Sequence, residues 1–184
     1  MSIRKATPKD AQQAVPLLMQ AMGELSYMFS GTMDAEETIK TLENFFIEET
    51  TRTSYKNSIV YEEDNAVCAV MVFYGGDQRE KLDRGILDHL KKTNNPLNYL
   101  DRECFDNELY IDSVAVNKNF RNRGIATKLF DYAAQEGRRE GFTKIALLVD
   151  SDNISAQKYY KNLGFRKDID LIVNNHLYYH LCKE

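Results

Sequence analysis

The segment Glu108–Thr127 constrains the fold more than any other part of this chain. It reads as a strand, Glu108–Val116, whose second half is Val114-Ala115-Val116, followed by a polar turn at Asn117–Asn119 and a helix opening at Gly124. That helix carries Ile125, Leu129, Phe130 and Ala133 as an apolar stripe and runs to about Glu140, with Gly141 as its stop. A strand feeding an amphipathic helix through a glycine turn calls for a sheet with a helix packed on its face. The turn also has chemistry of its own. The first N–H groups of a helix have no intrahelical acceptor, and the dipole adds partial positive charge there. Glycine at 124 lets the backbone approach a ligand that a side chain would block, and Ala126 is small enough to do nearly the same. A diphosphate fits such a place.

Local charge is consistent with this. From Ser113 to Phe130 the chain carries Lys118, Arg121, Arg123 and Lys128 and no acidic residue. The stretch before it, Tyr99–Asp112, carries Asp101, Glu103, Asp106, Glu108 and Asp112 against Arg102 alone. An acidic half beside a basic half suggests one cationic and one anionic ligand, although from charge alone ordinary solvated surface is the preferred reading. The glycine pattern has neither the Lys-Ser/Thr ending of a nucleotide P-loop nor the three glycines of a dinucleotide fingerprint. A phosphotransferase using Gly124 is set aside on that ground.

The remaining elements arrange themselves around this unit. Ser2–Ala6 reads as a strand, and Thr7-Pro8 as the cap and first position of a helix striped by Val15, Leu18, Met19, Met22 and Leu25. Asp34-Ala35-Glu36-Glu37 opens a second helix that buries Ile39, Leu42 and Phe46. Asn57–Tyr61 and Ala66–Tyr74 form a hairpin across Glu62–Asn65. Asp77–Asn107 is long for a connection and contains a helix with Leu82, Ile86, Leu87 and Leu90 on one face, stopped at Asn94-Asn95-Pro96. That stripe is first a packing face, and also a candidate lid or dimer surface. Thr143–Val149 is a buried strand, Ser151–Asn153 caps a short helix ending at Gly164, and two strands flank Asn174-Asn175.

At 184 residues the chain has the length of one domain, enough to bury roughly 70% of its unfolded surface. A net charge of −4 argues against a nucleic-acid partner. Cys68, Cys104 and Cys182 are odd in number and far apart, which favours reduced thiols over a disulfide framework, and no pair has metal-ligand spacing. The amino terminus lacks the apolar core of a signal peptide and no apolar run reaches membrane-spanning length, so a cytoplasmic chain without a membrane partner is expected.

Arg121-x-x-Gly124-x-Ala126 after Val114-Ala115-Val116 resembles the central motif of the GNAT acetyltransferases, written Arg/Gln-x-x-Gly-x-Gly/Ala. Asn153-x-x-Ala156-x-x-Tyr159-Tyr160-x-x-x-Gly164-Phe165 is similar to that family's second cofactor motif, and Ile3–Thr7 with Asp10 to its opening strand and helix. The resemblance covers nearly the whole chain except Asp77–Asn107. It implies a single α/β domain over residues 1–184, with a mixed, mostly antiparallel sheet flanked by helices and a partly helical insertion at about 77–107. It also implies transfer of an acetyl group from acetyl-CoA to a primary amine of a small molecule or protein, by direct attack through a tetrahedral intermediate.

Carried over by position, the backbone of Val114, Ala115 and Val116 would pair with the pantetheine arm. The amides of Arg121, Asn122, Arg123, Gly124, Ile125, Ala126 and Thr127 would cradle the pyrophosphate. Asn153 would hydrogen-bond the pantetheine or acyl region, and Ala156 would leave it room. Tyr160 stands where the family often has the acid for the departing thiolate, and Tyr159 stands beside it where leucine or phenylalanine is frequent. Family habit also points to a homodimer.

An amine with pKa near ~10.4 must lose a proton before it attacks. Asp112 is the first candidate acceptor, because strand alternation would put it on the face of Val114. Glu108, farther back on that face, is the reserve, and water is the alternative. His176 and His180 share a strand face without a third metal ligand in view, and Cys104 has no histidine near it in sequence to activate it as a nucleophile. The rival reading is a non-catalytic acyl-CoA-binding or regulatory module.

Overall fold

The computed structural model describes residues 2–184. Seven strands form one sheet in the order β1-β2-β3-β4-β5-β7-β6. In chain order these are β1 (Ser2–Lys5), β2 (Ser58–Glu63), β3 (Ala66–Gly75), β4 (Leu109–Val116), β5 (Ile145–Asp150), β6 (Arg166–Val173) and β7 (His176–Lys183). Every neighbouring pair is antiparallel except β4 with β5, which run parallel. A parallel pair needs a crossover, and α5 (Ile125–Arg139) supplies it.

Helices cover both faces. On one lie α1 (Ala11–Met22), α2 (Glu24–Ser30), α3 (Ala35–Ile47) and α4 (Arg79–Lys92), which bury Leu18, Phe46 and Ile86 against Val60, Val70 and Tyr110 of the sheet. On the other, α5 buries Ile125, Leu129 and Ala133 against Ile59, Met71 and Leu109, with α6 (Ile154–Asn162) beside it. Each of the larger side chains, Leu, Ile, Val, Phe or Met, contributes about 1.5–3 kcal/mol by leaving water.

The expected single stripe from Val15 to Leu25 is divided into two helices. Gly23 adopts φ 57 and ψ −125, a conformation closed to most L-residues, and its N–H closes α1 on the Met19 carbonyl. Asp34 caps α3 as expected, its carboxylate accepting from the Glu37 amide at 2.9 Å. Leu82, Ile86 and Leu90 are buried in the core, which makes the stripe of α4 a packing face. No helix among the described residues is long and apolar enough to cross a membrane.

Candidate functional site

The parallel pairing of β4 and β5 is brief. Leu109, Tyr110 and Ile111 face Ile145, Ala146 and Leu147, and beyond that the two strands part. β5 continues against β7 as far as Asp150, and β4 continues against β3 as far as Val116. Between the diverging C-terminal halves opens a cavity of about 730 Å³, walled by Ile111–Val114, Leu147–Asp150, Asn153, Ala156 and Tyr160. A second hollow of about 400 Å³ continues from Val114 along Ala115 and Val116 to the turn at Phe120–Thr127. The edge of β4 facing the gap is therefore an unpaired strand edge, and it leads directly to the start of a helix.

At that start Asn122 and Gly124 both take left-handed backbone, φ 62 and 73. A Cβ placed on Gly124 would meet nothing within 4 Å, so the surface above it is open and the constraint there is conformational. The first intrahelical bond runs from the Lys128 amide to the Gly124 carbonyl, so the amides of Ile125, Ala126 and Thr127 have no partner within the helix. Arg121 Nε donates to the Val116 carbonyl at 3.1 Å, tying the turn to the strand, and Arg123 lies over the Phe120 ring. This cradle suits a diphosphate, and the open β4 edge suits an extended amide-bearing chain.

The α6 motif lines the opposite wall. Asn153 caps α6 through its Oδ1, which accepts from the Ala156 amide at 3.0 Å, so its side-chain carbonyl has a structural job beside whatever its amide group binds. Tyr159 reaches the turn, with its hydroxyl 3.2 Å from Thr127 Oγ1. Tyr160 packs edge-on against Phe130 and Phe165, and burial pushes its phenol up to about 12. It keeps its proton across the neutral range and is a hydrogen-bond donor there.

The two candidate bases separate. A register shift between Val72 and Phe73 leaves Asp112 without a cross-strand partner, a β-bulge. The bulge breaks the expected alternation: Ile111 and Val114 both face the α5 side, while Asp112 points to the α1–α4 side and shares no face with Val114. Its carboxylate still lines the cavity, accepting from the Tyr74 hydroxyl at 2.8 Å and the Ser113 hydroxyl at 3.0 Å. Burial pushes Asp112 up, nearby Arg52 opposes this, and Glu103 adds to the rise. A carboxyl in that state accepts a proton more readily than an exposed one.

Glu108 lies at the other end of β4 and is absent from the cavity wall. It is wholly buried, 2.9 Å from His180 Nε2, 3.4 Å from Lys144 Nζ, and accepts from the Phe105 amide at 2.8 Å. Burial disfavours its charge, but His180, that amide and Lys144 hold it below the usual carboxylate range. It is a structural anion. His180 is thereby engaged, and His176 pairs with Asp150 at 2.9 Å instead. Burial pushes the Cys104 thiol up to about 12, which removes it as a nucleophile.

Arg52 is not foreshadowed by any sequence pattern. It is 1% exposed in a segment between α3 and β2 where Thr51, Thr53 and Ser54 are also buried, and no periodicity marks it. Its Nε donates to Asp83 of α4 and its Nη1 to Glu103 at 2.6 Å, with Asp112 at 3.7 Å. Tyr110 donates to the other oxygen of Glu103 at 2.8 Å. The acidic stretch Tyr99–Asp112 is thus largely satisfied within the chain. Glu103 and Asp112 face Arg52, Glu108 faces His180, Asp101 accepts from the Asn174 amide, and Asp106 meets Arg102. The charge asymmetry that suggested a cationic ligand is mostly internal pairing.

A family model described as the acetyltransferase (GNAT) family matches residues 24–165. An N-acetyltransferase structure from Staphylococcus aureus Mu50 superposes with a TM-score of 0.83 at 26% identity, over 100% of both chains. Over 57 residues, 31% of this chain, it is 42% identical to the chloroplastic GCN5-related N-acetyltransferase 4 of Arabidopsis thaliana. Over 56 residues, 30% of this chain, it is 38% identical to N-alpha-acetyltransferase 30 of Schizosaccharomyces pombe. These matches span 20% and 37% of the two curated relatives.

Proposed function

The chain belongs to the acetyltransferase (GNAT) family, and from that premise we propose that it transfers an acetyl group from acetyl-CoA to a primary amine in the gap between β4 and β5. The observation that carries the reading is the continuity of that gap. An unpaired β4 edge runs into free helix amides at one end and between Asp112 and Tyr160 at the other.

The amides of Ile125–Thr127 hold the diphosphate, and the open edge at Val114–Val116 pairs with the pantetheine arm, leaving the thioester beside Ile111–Val114 and Tyr160. Backbone N–H groups at Val114 polarise the thioester carbonyl. The amine nitrogen bonds to the carbonyl carbon, its proton passes to Asp112 directly or through water, and the carbon–sulfur bond breaks to give an amide and the free thiol. Handing a proton wholly from a phenol near 12 to a thiolate whose acid has pKa ~8.5 runs uphill. Tyr160 therefore stabilises the leaving sulfur by hydrogen bonding as charge develops, and the proton first removed from the amine completes the thiol.

The acceptor enters from the side formed by α1, α2 and the β6–β7 turn, whose residues complete the cavity. With Cys68, Cys104 and Cys182 all unpaired, the chain suits a reducing compartment such as the cytoplasm. A homodimer is the oligomeric state to test, by light scattering on the purified chain. For the activity, acetyl-CoA is incubated with a panel of small amines and peptides while free thiol is followed. Amine-dependent thiol release is expected. Tight CoA binding with no release on any amine would instead favour the binding module.

A further inference from the structure

One guanidinium nitrogen has two claimants. Arg52 Nη1 lies 2.6 Å from Glu103 and 3.7 Å from Asp112, so of these two carboxylates in the cavity wall Asp112 holds the longer and weaker contact. Arg52 cannot move to serve Asp112 better, because its Nε is bound to Asp83, itself braced by Arg79 at 2.8 Å. Tyr74 of β3 donates directly to one oxygen of Asp112 and the neighbouring Ser113 to the other, while Tyr110 of β4 fixes Glu103. The other titratable groups around this cluster are Cys104, whose thiol keeps its proton, and Glu24, Asp150, Tyr160, His176 and Tyr178 farther along the cavity. α2 contributes Glu24 and, against Arg52 itself, the Phe29 ring, 5.7 Å from the guanidinium carbon.

We propose that Arg52, Tyr74 and Glu103 are positioning residues for Asp112: Arg52 and Tyr74 favour its charged form, and Glu103 disfavours it by its own charge and by claiming Arg52. Burial and the surrounding carboxylates push the Tyr74 phenol well up, so it remains a donor throughout. Glu103 comes from the long segment joining α4 to β4, where the chain departs from the family resemblance. That segment thereby sets the charge of a group in the reaction cavity.

The inference rests on the proposed reaction only for its kinetic consequence, so the test has two separate readouts. The first is the carboxyl-carbon NMR titration of Asp112, assigned by the resonance lost in Asp112→Asn. Tyr74→Phe removes a hydrogen bond to the charged form and is expected to raise the titration midpoint. Glu103→Gln removes a like charge, weakens the competing hold on Arg52 Nη1, and is expected to lower it. Each shift is about one pH unit, a tenfold change in the protonation equilibrium. Midpoints that move in the same direction, or do not move, would overturn the proposal. Loss of packing alone gives no reason for opposite signs, and neither variant removes Arg52, on which the local fold depends. The second readout is the acid limb of kcat/KM with the best amine of the panel. A limb that tracks the Asp112 midpoint in both variants supports Asp112 as the proton acceptor. A limb that stays fixed while the midpoint moves removes Asp112 from that role and leaves the positioning result intact.

Discussion

The two ends of the cleft are built from different materials. The turn Arg121–Thr127 is local and exposed, and it offers backbone amides in a conformation held by Asn122 and Gly124. Its arginines reach back to the Val116 and Asn119 carbonyls that precede the turn. The floor around Arg52 is the reverse: buried, made of side chains, and assembled from α4, β3, β4 and two connecting segments. A backbone site tolerates changes in neighbouring side chains but not in φ. A buried charge network tolerates almost no change of side chain, because removing one partner leaves the others charged in a low dielectric. One end of this molecule is thus fixed by conformation and the other by electrostatic balance.

That contrast can be broken at several points. The largest effect is expected at Arg52. Arg52→Ala strips the counterion from Asp83 and Glu103 and should cost about 3–5 kcal/mol of folding stability, read by urea unfolding. A loss within experimental error would mean that the network is not the anchor described. Gly124→Val should act through backbone strain of about 1–2 kcal/mol at φ 73. It appears as roughly tenfold weaker CoA binding in calorimetry, with Gly124→Asn milder because asparagine tolerates left-handed backbone. Equal affinity for valine and asparagine variants would show that conformation is not the controlling property. The smallest effect belongs to Arg123→Gln, which removes an exposed charge. CoA affinity should fall by no more than about 1 kcal/mol, and the difference should fade as salt is raised.

The same contrast explains what could be read from the sequence. Strand, glycine turn and amphipathic helix are short-range patterns, so the α5 unit and the α6 motif stand where spacing placed them. Gly23 hid the break between α1 and α2, because apolar spacing continues across it while the backbone does not. Asp112 was legible as a carboxylate in the wall but not in its direction, since one extra residue in β4 reverses which face a side chain takes. Glu108, the reserve candidate expected on the same strand face, sits at the far end of the strand against His180. Arg52, Asp83 and Glu103 are separated by dozens of residues, and only the tertiary fold brings them together. A run of acids therefore looked like a ligand site when most of its members had partners elsewhere in the chain.

The central claim is that the turn binds while the floor and the α6 wall do the chemistry. It is tested most directly by measuring kcat and CoA affinity together for Tyr160→Phe, with the best acceptor amine. A fall in kcat of about 10²-fold, that of losing one hydrogen-bond donor to developing charge, is expected with the dissociation constant for CoA unchanged, because the phenol lies in the cavity at the far end from the phosphate cradle. An unchanged kcat, or a loss of affinity matching the loss of turnover, would contradict it.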